Sequence, residues 1–191
     1  MRRMHGIVGV TGTPGTGKKS IAPILAAALG AKCLSINELA SAHGLLVKRG
    51  QEWEVDVEKL RQALGALSGP AVVYGHLLPQ ALEPRLVTHA VVLRCEPAVL
   101  KERLLGRGYP PRKLIDNVES ELIGVVSSEA FEAFGETKTF EFDCTTSAPR
   151  EGAAALAKLI EGESEPGPRI DWTLAYDTGA KLRSLLSTGR S

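Results

Sequence analysis

Cysteine is scarce and cannot be fully paired. Cys33, Cys95 and Cys144 form an odd set of three, with no C-x-x-C spacing and no histidine-rich partner segment. That excludes a disulfide framework and a structural zinc site, and leaves isolated core thiols in a reducing compartment as the expectation. Long apolar runs are missing too: the longest, residues 21–31, is too short for a bilayer and is interrupted by Pro23. Residues 1–5 carry charge, but no cleavable apolar segment follows them, so the expectation is a soluble, cytoplasmic protein without a membrane partner. An excess of one charge is also absent. With 23 Lys and Arg against 22 Asp and Glu, the formal net charge is +1. This argues against direct DNA binding or the coating of any polyanion, and leaves room only for a local basic cleft.

What is present is the composition of one globular domain, 43% hydrophobic and 24% charged over 191 residues. Apolar runs with β-branched residues alternate with segments of helical period. Strands are expected at residues 6–10, 32–36, 71–74, 89–93 and 138–142. Helices are expected from 18 to about 29, from Asn37 as a cap to about 43, from Asp56 to about 67, at 96–105, at 112–134 as one long helix, and at 150–160. Residues 44–55 are polar and mixed and carry no clear period, and residues 162–169 read as a linker. Beyond them, Ile170, Trp172, Leu174 and Tyr176 are too apolar for a free tail, so residues 162–191 form a linker and a docking extension after a domain of residues 1–161. The alternation implies an α/β fold with a mainly parallel sheet covered on both faces.

The informative stretch is Gly12-Thr13-Pro14-Gly15-Thr16-Gly17-Lys18-Lys19-Ser20. Glycines let the backbone turn its amides inward on an anion at a helix N-terminus, where the helix dipole adds to the attraction. Lys18 brings an ammonium to the β- and γ-phosphates of a nucleotide, so Gly15, Gly17, Lys18 and Lys19 are the expected ATP-binding residues. A chance match to the string is common; the strand before it and the apolar helix after it are the context that gives it meaning. Directly after the lysine, where a hydroxyl ordinarily reaches Mg²⁺, stands Lys19. Either Ser20 supplies that hydroxyl from one position further on, or water holds most of the metal.

With these residues the chain resembles the nucleoside monophosphate kinases, and most closely the small adenylate kinase isoenzyme-six family. The resemblance rests on the glycine loop and on Leu93-Arg94, Glu102-Arg103-Leu104, Arg107-Gly108-Tyr109, Lys113-Leu114, Asp116-Asn117 and Glu121 in order and spacing, and spans about residues 6–160. It implies a P-loop NTPase fold with a five-stranded parallel sheet flanked by helices. It also implies a nucleotide-monophosphate-binding segment at about 35–58 and a short lid at about 106–116 that carries the ATP-binding Arg107. The reaction it implies is ATP + AMP = 2 ADP, with Mg²⁺, side ATPase activity, and a role in small ribosomal subunit maturation through a ribosomal protein.

The family carries Asp-x-His at the end of its third parallel strand, and here the string is Tyr74-Gly75-His76. His76 matches and is expected either to orient a reacting group or to be structural. Tyr74 replaces the metal-organising carboxylate with a phenol, neutral near pH 7 and a poor magnesium ligand. Glu38 and Asp143 are the candidate replacement acids. Tyr74 keeps open a second function, a nucleotide-gated binding module with weak catalysis. A third is a kinase for another small acceptor on the same fold. After the fifth strand, residues 143–148 border the adenine by the same resemblance, and Thr146 or Ser147 is the expected cap of the closing helix.

Overall fold

Five short runs pair side by side as parallel strands in the computed structural model, which describes residues 6–49, 52–67 and 69–187. The chain opens with β1 (Ile7–Thr11), α1 (Lys18–Ala28), β2 (Lys32–Ser35) and α2 (Ile36–Ala42), then the hairpin strands β3 (Leu46–Arg49) and β4 (Glu52–Val55). It continues through α3 (Val57–Gly65), β5 (Ala71–Tyr74), α4 (Leu78–Ala81), β6 (Val87–Arg94), α5 (Pro97–Leu105) and α6 (Pro111–Leu122). It closes with α7 (Val125–Phe134), β7 (Thr139–Asp143), α8 (Pro149–Ile160) and α9 (Gly179–Leu186).

The sheet runs β2-β5-β1-β6-β7, all neighbours parallel. Strand alternation separates two apolar clusters. Val8, Val10, Val72, Val91 and Leu93 meet Leu25 of α1 and Leu156 of α8 on one face. Ile7, Ala71, Val73, Ala90 and Val92 meet Ile36, Leu60, Leu78 and Phe134 on the other. β1 is buried along its whole length, as a central strand covered on both faces must be. It pairs with β5 on one side and β6 on the other, and chain order reverses there. The crevice at the carboxyl ends of these strands is therefore the place for a ligand.

The structure departs from the sequence expectation at four points. Residues 112–134 are two helices, broken at Gly124, whose φ of 69° is left-handed. The Arg94 guanidinium takes the Glu121 carbonyl there at 2.8 Å, giving the interrupted ladder a partner. The cap of α2 is Ser35, whose hydroxyl accepts from the Glu38 amide, and not Asn37. Helix α8 starts at Pro149 with no side-chain cap, so neither Thr146 nor Ser147 serves. Residues without a clear period at 44–55 hold the antiparallel hairpin β3–β4, with Leu46 opposite Val55.

The chain's last described segment docks on the domain. Ile170 and Trp172 reach the buried ends of β6, α6 and β7, and α9 packs against α5 and α6 with Leu185 only 4% exposed. No helix among the described residues is long and apolar enough to cross a membrane.

Candidate active site

Residues 12–17 turn from the end of β1 into α1, and at two glycines the turn depends on the missing side chain. Gly12 has φ 139°, and a Cβ there would lie 2.4 Å from the Leu93 carbonyl oxygen. Gly15 has φ 102°, and its Cβ would lie 2.6 Å from Leu100. Both combine a left-handed backbone with no room for a methyl group. Gly17, also left-handed, is the N-cap of α1 and offers no side chain of its own. The first turn of α1 therefore presents amides and the positive end of its dipole to whatever the loop encircles.

Lys18 is the first residue of α1, and its ammonium folds over the loop to donate to the carbonyls of Gly12 and, at 3.0 Å, Thr13. Burial pushes its pKa down to about 8 against the opposing pull of the Glu121 carboxylate, while Arg107 adds a smaller push downward. A cation held with so few counter-charges is poised for an anion. A phosphate group is what the loop, the dipole and Lys18 fit together.

Beside the loop lies a cavity of about 310 Å³ whose wall includes Lys18, Lys19, Ser35, Asn37, Glu38, Tyr74 and His76. That is the low end of the range for small-ligand pockets, about 300–1,000 Å³. His76 stands at its rim. Burial lowers the pKa of its imidazole, and the positive charges of Lys18 and Lys113 lower it further. The shift favours the neutral ring, which can both accept and donate a hydrogen bond. A larger hollow, about 690 Å³ between α5 and α9, involves no loop residue.

The structure thus brings Gly15, Gly17, Lys18, Lys19 and His76 to one place. Arg107 is exposed in the turn joining α5 and α6, close enough for its charge to act on Lys18. Ser20 is exposed on α1 and does not line the cavity, whereas Lys19 does. Of the two candidate acids, Glu38 lines the cavity. Asp143 instead accepts from the Thr145 amide at 2.8 Å, closing a turn of its own loop. Arg103, on α5, is committed to that loop, donating to the Thr145 carbonyl at 2.8 Å.

Magnesium is a different matter. The position after Lys18 carries an ammonium and the end of β5 carries a phenol. Among the described residues no group of three or more His, Cys, Asp and Glu converges to hold a metal. Mg²⁺ in such sites takes one or two protein oxygens besides the substrate phosphates and water, and neither Lys19 nor Tyr74 supplies a carboxylate for it.

The sequence reading passed over a buried ionic cluster behind the loop. Arg94, Glu121 and Glu141 are 2%, 1% and 7% exposed. Arg94 pairs with Glu121 at 2.8 Å and with Glu141, and the Thr13 hydroxyl donates to Glu121 at 2.5 Å. A signal existed: Leu114, Val118, Glu121 and Leu122 share the buried stripe of α6, so a carboxylate stands on an apolar face.

Comparison with known proteins bears on the family and the fold. A family model described as an AAA domain matches residues 8–124. A protein of Thermococcus kodakarensis named "Putative adenylate kinase" is 37% identical over 173 residues, covering 90% of this chain and 95% of that protein. One of the same name from Archaeoglobus fulgidus is 38% identical over 172 residues, covering 87% and 91%. Among solved structures, shikimate kinase from Acinetobacter baumannii in complex with shikimate superposes with a TM-score of 0.59 at 16% identity, over 85% of this chain and 96% of that one. The YorR protein of Bacillus subtilis in complex with phosphorylated GDP gives 0.55 at 19% identity, over 82% and 96%. At such identities these structures show a shared fold.

Proposed function

This chain belongs to the family of archaeal proteins named putative adenylate kinase, nucleotide kinases on a P-loop fold, and from that premise we propose that it transfers the terminal phosphoryl group of ATP to AMP. One observation carries the reading: Lys18 belongs both to the amide loop and to the wall of the neighbouring cavity, so donor and acceptor phosphates meet at a single ammonium.

In the reaction a phosphate oxygen of AMP bonds to the γ-phosphorus of ATP. The bond from that phosphorus to the β,γ-bridging oxygen breaks, and two ADP molecules result. Charge spreads over the moving phosphoryl group, and fixed cations and amides stabilise it. Lys18 and the loop amides hold the donor end. Arg107 joins them from the α5–α6 turn, and Lys19 supplies a further positive charge on the acceptor side. His76, neutral, orients the acceptor by a hydrogen bond. AMP is the acceptor assigned to the 310 Å³ cavity. Side ATPase activity belongs to the same reading, with water in place of AMP. A ribosomal protein of the small subunit is the partner that the family resemblance suggests, in the cytoplasm.

Tyr74 and Lys19 favour a second reading, in which the site closes on ATP and turns over slowly. Mixing the purified protein with ATP, magnesium salt and AMP and following ADP separates the two. AMP-dependent ADP formation that disappears in Lys18→Ala supports the kinase. Tight ATP binding without AMP-dependent turnover, with a rate at least tenfold higher in Tyr74→Asp, supports the slow binding module. No change in Tyr74→Asp contradicts the account of Tyr74.

A further inference from the structure

The docked C-terminal segment ends on the same carboxylate that holds the phosphate loop. Glu121 Oε2 accepts from the Thr13 hydroxyl at 2.5 Å. Its other oxygen accepts from Arg94 Nε at 2.8 Å, from the Cys95 amide at 2.9 Å and from the Trp172 indole at 3.4 Å. Four donors thus converge on one buried carboxylate, three on Oε1 and one on Oε2, and one of them, the Trp172 indole, comes from the segment beyond the linker. The same segment also reaches the two other ions of the cluster. The Ile170 carbonyl accepts from Arg94 at 3.1 Å, and the Ile170 amide donates to Glu141.

Residues 170–172 thus give each of the three ions one of its hydrogen-bond partners. A buried polar network is more rigid when all its members are satisfied than when one is left partly unpaired. The loop residue at the far side of that cluster is Thr13, whose carbonyl is also a resting acceptor for Lys18.

Resting on the nucleotide-kinase reading, we propose that Trp172 and Ile170 are positioning residues of the nucleotide site: by completing the Arg94–Glu121–Glu141 cluster they fix Glu121, and Glu121 fixes Thr13 of the phosphate loop. Docking of the C-terminal segment and nucleotide binding are then coupled, and the coupling is reciprocal. Neither residue touches the nucleotide.

A double-mutant cycle on the full chain tests this, with ADP affinity measured by calorimetry. Thr13→Val removes the hydroxyl at nearly constant volume and is expected to weaken ADP about fivefold, the scale of one buried hydrogen bond to a carboxylate. Thr13→Ser keeps the hydroxyl and is expected to stay within about twofold of the parent. Trp172→Phe removes the indole N–H and is expected to weaken ADP about threefold. The double variant is expected to be no weaker than Thr13→Val alone, because Trp172 acts only through Glu121. Losses that multiply, or Trp172→Phe with unchanged ADP affinity, overturn the proposal. A second measurement needs no variant: ADP is expected to slow hydrogen exchange of the Ile170 amide severalfold in the unmodified chain. Unchanged exchange at saturating ADP overturns the coupling and leaves the kinase reading standing. No ADP binding by the unmodified chain overturns the kinase reading, and the coupling with it.

Discussion

Lys18 sits between two opposing influences. Burial favours its neutral form, the Glu121 carboxylate favours its charged form, and burial prevails, leaving the pKa at about 8. A bound phosphate raises that value, because it supplies the anion that the free loop lacks. Between the free and bound values, binding takes up a proton, so affinity falls as pH rises. ADP affinity measured calorimetrically is expected to drop about twentyfold from about pH 7.5 to about pH 9.5, as one proton-linked site requires. Lys18→Arg, weaker overall, is expected to be flat across that range, since a guanidinium does not titrate there. A flat profile for the unmodified protein would show that the Lys18 ammonium is not the phosphate contact. Residue by residue, the glycines and Lys18 were legible because their spacing has a mechanical meaning. Tyr74 and Lys19 were legible only as departures from a family pattern, and the structure adds that both face the same cavity. Ser20 was read as a hydroxyl donor because it is the nearest one in sequence. One step along a helix turns a side chain by about 100°, and Lys19 lines the cavity while Ser20 does not.

Among the elements, strands and helices with a sustained apolar period lie within a residue or two of where the sequence puts them. Their ends and breaks were harder. Residues 112–134 keep a helical period across Gly124, so periodicity alone gives one helix; at the break Gly124 turns left-handed and a guanidinium from β6 reaches the Glu121 carbonyl. Ser35 outcompetes Asn37 as a cap because β2 delivers it in an extended conformation, φ −89° and ψ 126°, at the junction. The Gly124 backbone gives a direct check on the α6–α7 break. Its left-handed φ of 69° is strained for any L side chain, although a Cβ there meets only ordinary contacts, 3.5 Å from Arg94. Gly124→Ala is expected to destabilise the fold by about 1–2 kcal/mol without unfolding it, as read by urea denaturation. A variant as stable as the parent would mean that a continuous helix over these residues is tolerated. Glu121 belongs at this scale too: its place on the apolar stripe of α6 was visible, but not its partners, which come from β6, the phosphate loop and the C-terminal segment.

For the molecule as a whole, a parallel sheet buried on both faces leaves one natural place for chemistry, the carboxyl edge where β1 separates its neighbours. The glycine loop, His76 and the α5–α6 turn all lie there. The site's positive character comes from that convergence and not from composition, because the formal net charge is only +1. That the apolar C-terminal residues would dock was readable from Ile170, Trp172 and Tyr176, but Leu174, read with them, is 76% exposed; where they dock was not readable, since the receiving surface is assembled from segments distant in sequence. The nucleotide site is the claim on which the kinase, the binding module and the coupled C-terminal segment all depend. Isothermal titration of the intact, folded chain with ADP and with ATP at up to millimolar concentrations tests it most directly. Saturable heat is expected with both nucleotides, and its loss in Lys18→Ala; no heat with either nucleotide from the unmodified chain would overturn the nucleotide site.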